Sequence, residues 1–215
     1  MEFAGIVLVG GKSLRMGLPK ATLPFGPELL IQRVIRLLLQ ATRTVVVVAA
    51  PGQTLPAMSR AVRVVRDHRE GRGPLEGIRA GLEALEGHCQ AAYVTACDVP
   101  TLQPGFVRML IEHLSGYRIV VPVDGGHYHP LAAVYRLDVL AEVRSLLEQD
   151  QLRPASLFQI VRTCRVPVDR LRSVDPDLSS LENLNHPQDY FAALARCGFD
   201  PDEDVRSALF EHAKP

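Results

Sequence analysis

Short apolar runs separated by polar, helix-patterned stretches fill the first half of this chain. Ile6 to Val9 is a wholly apolar run that stops at Gly10-Gly11 and reads as a buried strand. Glu28 to Gln40 follows a helical period, with Leu30, Val34, Leu37 and Leu38 on one face and Gln32, Arg33 and Arg36 interrupting the apolar positions. Val45 to Ala50 is short, apolar and β-branched, as suits a parallel strand covered on both faces. Val62 to Val65 is a shorter strand, and Leu75 to Leu85 a helix entered through Gly73-Pro74 and stopped by Gly87. Ala91 to Cys97 is a central strand ending at Asp98, and Pro104 to Leu114 a helix opened by its proline.

Beyond that point Arg118 to Val123 and Leu131 to Tyr135 read as strands around a Gly125-Gly126 turn, and Leu137 to Glu148 as a helix. Leu152 to Ser180 carries a weaker pattern, a short helix, a short strand and loops. Pro187 to Arg196 is a helix with Asn185 or His186 as its cap. Cys197-Gly-Phe-Asp-Pro201 breaks it from a last amphipathic helix over Asp202 to Ala213. Strands alternating with helices predict an α/β fold: a three-layer αβα sandwich on a mostly parallel, doubly wound sheet. Residues 1–196 would form one domain, and residues 197–215 a helical extension with no core of its own. Such sheets bind ligands beyond the carboxyl ends of their strands. Those ends are Gly10-Gly11, Ala49-Ala50, Asp67 and Asp98.

Composition narrows the function classes. The 215 residues are 47% hydrophobic and carry no formal net charge, which argues against binding driven by a basic surface, as nucleic acids require. No apolar run approaches the roughly 20 residues needed to span a bilayer, and no leader pattern opens the sequence, so a soluble cytoplasmic protein is expected. The four cysteines include no CxxC pair, which disfavours a zinc cluster, and Cys97 within its apolar strand reads as a small core residue.

Candidate chemistry concentrates at the strand ends. After the first strand come Lys12, Arg15 and Lys20, three cations within nine residues behind two glycines. Exposed amides and cations of this kind match a chain of phosphates. Gly10-Gly-Lys-Ser13 is not a P-loop, because the glycine required five positions before Gly11 is Ile6. Asp98, at the end of a central strand and ahead of Val99-Pro100, is placed to hold Mg²⁺, which favours one or two carboxylates plus substrate phosphates. Asp67 could accept from a ribose hydroxyl or a base edge, and the sharp turn Gly73-Pro74 could press backbone against a flat base. Asn183 and Asn185 precede a helix, where asparagine is most often a cap but can also lend a carboxamide oxygen to a metal. His127 and His129 lack an evident third ligand.

Taken in order, these motifs resemble the molybdenum cofactor guanylyltransferases of the MobA type, within the nucleotidyltransferase superfamily. The family's L-A-G-G-x-S-x-R-M-G-x-x-K is similar to Leu8-Val-Gly-Gly-Lys-Ser-Leu-Arg-Met-Gly-Leu-Pro-Lys20. Its strand-end Asp and G-P-L-x-G correspond to Asp67 and Gly73-Pro-Leu-Glu-Gly77, its C-D-x-P to Cys97-Asp-Val-Pro100, its H-P to His129-Pro130, and its N-V-N-x-P to Asn183-Leu-Asn-His-Pro187. The resemblance implies a Rossmann-like nucleotidyltransferase fold and Mg²⁺-dependent transfer of GMP from GTP to molybdopterin, with release of pyrophosphate. It implies that Leu8, Val9, Gly10 and Gly11 line the nucleotide, with Gly73 and Pro74 opposite. Lys20 would act at the α-phosphate, assisted by Arg15, and Asp67 would read the guanosine part. Asp98 would bind Mg²⁺, with Asn185 as a second ligand. Related chemistry with CTP or a sugar phosphate acceptor, and a non-catalytic nucleotide-binding role, are the alternatives. The sequence departs from the family pattern at Val9, where alanine is usual, at Ala49-Ala-Pro51, which lacks an asparagine, and at Glu76, where a small residue is usual. These departures bear on base identity more than on reaction type.

Overall fold

The computed structural model describes residues 2–10, 16, 18–67 and 71–212. In chain order the elements are β1 (Phe3–Leu8), β2 (Pro24–Phe25), β3 (Glu28–Leu29), α1 (Leu30–Leu38), β4 (Thr44–Ala49), β5 (Val62–Arg66) and α2 (Pro74–Ala84). They continue through β6 (Ala91–Ala96), α3 (Pro104–Glu112), β7 (Ile119–Asp124), β8 (His127–Tyr128), β9 (Ala132–Arg136), α4 (Leu140–Glu148), α5 (Pro154–Ile160), β10 (Thr163–Pro167), α6 (Pro187–Arg196) and α7 (Glu203–His212).

The large sheet has the order β10-β7-β9-β6-β1-β4-β5, with β8 pairing β7. All its neighbours along that path are parallel except β9, which runs antiparallel between β6 and β7. The sheet is the mostly parallel, helix-flanked one expected from the sequence. From β1 the chain moves outward to β4 and β5, then returns to the other side of β1 with β6. The order therefore reverses between β1 and β6, and a ligand crevice belongs beyond their carboxyl ends.

Alternation along the central strands builds two cores. Ile6, Leu8, Val46 and Val48 face one side, under α2, α4 and α5, while Val7, Val9, Val45 and Val47 face the other, under α1 and α3. Each fully buried valine of this kind contributes about 1.5–3 kcal/mol relative to exposure, which explains why an uninterrupted apolar run sits at the centre of the sheet. None of the described helices is long and apolar enough to cross a membrane.

Two local readings are corrected. Glu28 and Leu29 do not start the helix. They pair with Pro24 and Phe25 in a small hairpin, and α1 begins at Leu30. The Glu28 carboxylate accepts hydrogen bonds from Arg36 and Arg33, which hold its pKa below the usual carboxylate range. The buried face of α1 is Leu30, Ile31, Val34, Ile35 and Leu38, with Leu37 only partly covered, because both the sheet and the hairpin press on the helix.

Close approach of α2 to β1 rests on glycine. A Cβ at Gly81 would lie 2.7 Å from Ile6 Cγ2. Ile6 is branched at Cβ and fully buried, so that contact has little room to relax. Alanine is the better helix former by about 1 kcal/mol, yet overpacking a core typically costs about 1–3 kcal/mol. Gly81→Ala is therefore expected to lower the urea midpoint. A raised midpoint would show that α2 can shift on the sheet.

Candidate functional site

Beyond the carboxyl ends of β1 and β6 lies a cluster of four polar side chains. Lys20 opens the short 3-10 turn Lys20–Thr22 and sends its ammonium 2.7 Å from Asp98 Oδ2. It also donates to Asn185 Oδ1 at 3.4 Å. Asn183 Nδ2 donates to the other oxygen, Asp98 Oδ1, at 2.8 Å. The backbone closes the arrangement, since Leu184 N–H donates to the Asp98 carbonyl at 3.0 Å. Side-chain exposure is only 17% for Lys20 and 10% for Asp98, so the pair sits where water screens it weakly.

Each arm has a local reason to be where it is. Asp98 follows β6 directly, and Cys97 N–H donates to the Leu8 carbonyl at 3.0 Å, which carries the β1–β6 ladder up to the site. The loop before α6 is fixed by Asp189, whose carboxylate accepts the backbone N–H groups of Asn185 and His186 at 2.9 and 2.8 Å. With the helix start satisfied by Asp189, the Asn185 carboxamide is turned to Lys20 rather than back to its own helix.

A cleft of about 790 Å³ adjoins this cluster. Its lining includes Leu8, Gly10, Asp67, Gly73, Pro74 and Gly77. Gly73 has φ +74°, a backbone conformation that favours glycine, and it leads Pro74 into the first turn of α2. A Cβ at Gly77 would stand 3.2 Å from Leu8 Cδ2 and 3.5 Å from Asp67 Oδ1, so the glycine lets the start of α2 lie against β1 and Asp67. Asp67 is held at its strand end by its own N–H, which donates to the Ala49 carbonyl at 2.9 Å.

Of the residues singled out in the sequence, Lys20, Asp98 and Asn185 meet in the polar cluster, while Leu8, Gly10, Asp67, Gly73 and Pro74 share the cleft. Gly11 and Arg15, with Lys12, lie outside the described residues. Val9 is 3% exposed, and its side chain joins the core on the α1 and α3 side with Ala21 and Cys97. Leu8, one position earlier, faces the cleft, so the two extra methyl groups at position 9 do not crowd that space. Glu76 is buried in the first turn of α2 and bound to Arg79, away from the cleft lining.

Two residues gain importance that the motif reading did not give them. Asn183, read chiefly as a cap, is a direct partner of Asp98. Gln53 lines the cleft, and its Oε1 accepts the Ala50 N–H at 3.1 Å, in the turn where the expected asparagine is missing. The only signal for Gln53 is its position in Pro51-Gly-Gln53, just past a strand end. Cys97, next to this site, is a neutral thiol. Burial, with the nearby Asp98 charge, pushes its pKa up to about 12 despite the opposing effect of Lys20.

The cluster is built to bring a cation and anionic oxygens together, with no nucleophile–base pair in it. Among the described residues no group of three or more His, Cys, Asp and Glu could hold a metal on its own. Asp98 Oδ2 and Asn185 Oδ1 nevertheless converge on a cation, the Lys20 ammonium. Two hard oxygens in that arrangement suit a hard divalent cation such as Mg²⁺.

Comparison with known proteins gives a consistent result. The family described as MobA-like NTP transferase domain matches residues 5–163. A protein of Mycobacterium avium named probable molybdenum cofactor guanylyltransferase is 41% identical over 202 residues, covering 91% of this chain and 96% of that one. A protein of the same name from Pelotomaculum thermopropionicum is 32% identical over 197 residues, covering 90% and 92%. The crystal structure of molybdopterin-guanine dinucleotide biosynthesis protein A from Archaeoglobus fulgidus superposes with a TM-score of 0.74 at 25% identity, covering 92% and 99%. A cytidylyltransferase from Thermus thermophilus, at 18% identity and a TM-score of 0.65, shares the fold.

Removing the Asn183 amide leaves Asp98 Oδ1 without that donor in a poorly solvated site. Leaving a buried acceptor unsatisfied costs about 1–3 kcal/mol, so Asn183→Ala is expected to lower stability by that order in urea titration. Unchanged stability would mean that Asp98 reorients or that water replaces the amide.

Proposed function

We propose, since this chain belongs to the family of MobA-like NTP transferases, that it transfers GMP from GTP to a terminal phosphate of molybdopterin. It is a nucleotidyltransferase, and the choice of GTP, Mg²⁺ and molybdopterin is our reading of which one. The observation that carries this reading is the Lys20–Asp98–Asn185 cluster, set at the strand switch point beside a cleft large enough for a nucleotide. The relatives named guanylyltransferases support the choice of base.

In this reading a phosphate oxygen of the acceptor attacks the α-phosphorus of GTP. A new P–O bond forms, the α–β anhydride bond breaks, and pyrophosphate leaves with the bond electrons. The attacking phosphate is already ionised near neutral pH, so no general base is needed. The work of the protein is alignment and charge stabilisation. Asp98 and Asn185 would hold Mg²⁺, which neutralises triphosphate charge. Lys20 donates to the phosphate oxygens on which charge develops. Asn183 keeps Asp98 oriented. Gly10 and the start of α2 bring backbone close to the nucleotide, Asp67 accepts from the guanosine part, and Arg15 assists at the phosphates.

Incubating the protein with each nucleoside triphosphate, Mg²⁺ and molybdopterin, and following pyrophosphate release, tests the reading. Release is expected with GTP and molybdopterin together. Release only with CTP, or release that ignores the acceptor, would overturn the assignment of substrates.

The role of Lys20 has its own test. Losing one charge-stabilising donor typically costs about 10²–10³ in rate, so Lys20→Ala should lower turnover by that factor. Turnover within twofold of the parent would remove Lys20 from the chemistry.

A further inference from the structure

Helix α7 and the turn before it are not needed to complete the sheet, yet they are packed into a third apolar cluster that neither main core contains. That cluster holds Met16, Leu23, Phe25, Leu30, Leu184, Tyr190 and Leu209 among its buried members, with Phe199 and Leu18 packed against it. Met16, Leu18 and Leu23 bracket Lys20 in the chain. Leu184 stands between Asn183 and Asn185. Leu209, fully buried, belongs to α7. Two arms of the polar cluster are thus seated on the same small core as the C-terminal segment.

The third arm is reached through Arg33. Its side chain is 14% exposed, and its guanidinium carbon lies 4.8 Å from the Phe25 ring centre and 5.5 Å from that of Phe199. From beside those rings Arg33 Nε donates to the Pro100 carbonyl at 2.7 Å, two residues after Asp98. Its other nitrogens reach Glu28 Oε1 and Cys197 Sγ, each at 3.4 Å. The fit of Phe199 is tight. A Cβ at Gly26 would stand 2.7 Å from its ring, and the two aromatic rings meet edge-on at 5.9 Å.

We propose that residues 197–212 act as a positioning clamp for the catalytic cluster. Phe199, edge-on to Phe25, completes the aromatic corner that holds Arg33, Arg33 fixes the Asp98 loop through Pro100, and Leu209 backs the apolar residues that flank Lys20 and separate the two asparagines. Arg33 and Phe199 are positioning residues: they touch no substrate and act through Lys20, Asp98 and Asn185. The catalytic meaning of the clamp rests on the reading of those three residues given above, but its mechanical content does not.

Hydrogen–deuterium exchange of the full chain carrying Phe199→Ala tests the mechanical part. Amides of residues 18–25, 98–103 and 182–186 should exchange about tenfold faster, while those of β6 and β7 keep their rates. Faster exchange confined to residues 197–212, or spread evenly over the sheet, would overturn the clamp. Arg33→Lys, which keeps the charge but loses the flat fork, should repeat the effect at residues 98–103 alone. It also serves if Phe199→Ala fails to fold. Turnover adds the functional part: Phe199→Ala should lower kcat about tenfold and leave the nucleotide KM within twofold, because the cleft is walled by other elements, and Phe199→Tyr should restore kcat. A KM rise with kcat unchanged would overturn the proposal. If the parent protein releases no pyrophosphate, the function reading falls, and the exchange pattern still decides the clamp.

Discussion

Strands β1 and β6 lie side by side in the same direction, and the ladder between them continues past the end of β6, where Cys97 N–H donates to the Leu8 carbonyl. This pairing sets the height at which Gly10 and Asp98 leave the sheet. Because the chain feeds outward from β1 in one direction and from β6 in the other, no connecting helix covers the gap between their ends. Asp98 there needs partners, and the site supplies them: Leu184 N–H to its carbonyl, Asn183 to one carboxylate oxygen, Lys20 to the other. A shift of one residue in this register would turn every side chain of β1 to the opposite face. Leu8 would leave the cleft and Val9 would enter it. The two packed cores, one on each face, make that shift prohibitively costly.

In the proposed reaction the same geometry separates two tasks. Recognition would belong to the cleft walled by the ends of β4 and β5 and the start of α2, lined by glycines, prolines and small apolar side chains with the polar groups of Gln53, Asp67 and Arg72. Charge handling would belong to the cluster around Lys20 and Asp98. A buried ion pair is weak evidence for stability, since desolvating both charges offsets much of their attraction. In the proposed reaction the pair is better understood as a held place: two oxygens and a cation kept in position where charge would be exchanged with a ligand. Glu76 and Cys97 flank this region without joining it, one bound by Arg79 and the other held neutral by burial.

Much of this was legible from residue pattern. Valine runs buried on both faces announce parallel strands, and Gly73-Pro74 announces the start of α2, because each depends on local chemistry that survives in any tertiary setting. The direction of β9 was not legible. Ala132 to Val134 is as apolar as a parallel strand, because β9 too is covered on both faces. Burial pattern cannot reveal which way such a strand runs. The start of α1 was hidden for a related reason: Glu28 and Leu29 fit a helix locally, and only the partner strand Pro24–Phe25 claims them. At the site, motif spacing found Lys20, Asp98 and Asn185 but did not distinguish the tasks of the two asparagines. That distinction depends on Asp189 satisfying the backbone before α6, an interaction that forms only once the helix does.

The C-terminal segment carries this argument furthest. By pattern it is an amphipathic helix after a break, with no chemistry of its own, and Asp202 caps it by accepting the N–H groups of Asp204 and Val205. Its meaning comes from what it presses on. In the proposed reaction the loop bearing Lys20 would have to stay near Asp98 when the cleft is empty, yet yield when a triphosphate arrives. A loop built wholly into the main core would not yield, and one left on the surface would not stay. Seating it on a small separate cluster closed by Leu209 and Phe199 would give an intermediate stiffness in that reading, because few apolar contacts would have to move. Arg33 extends that coupling to the Asp98 loop through a single carbonyl, that of Pro100.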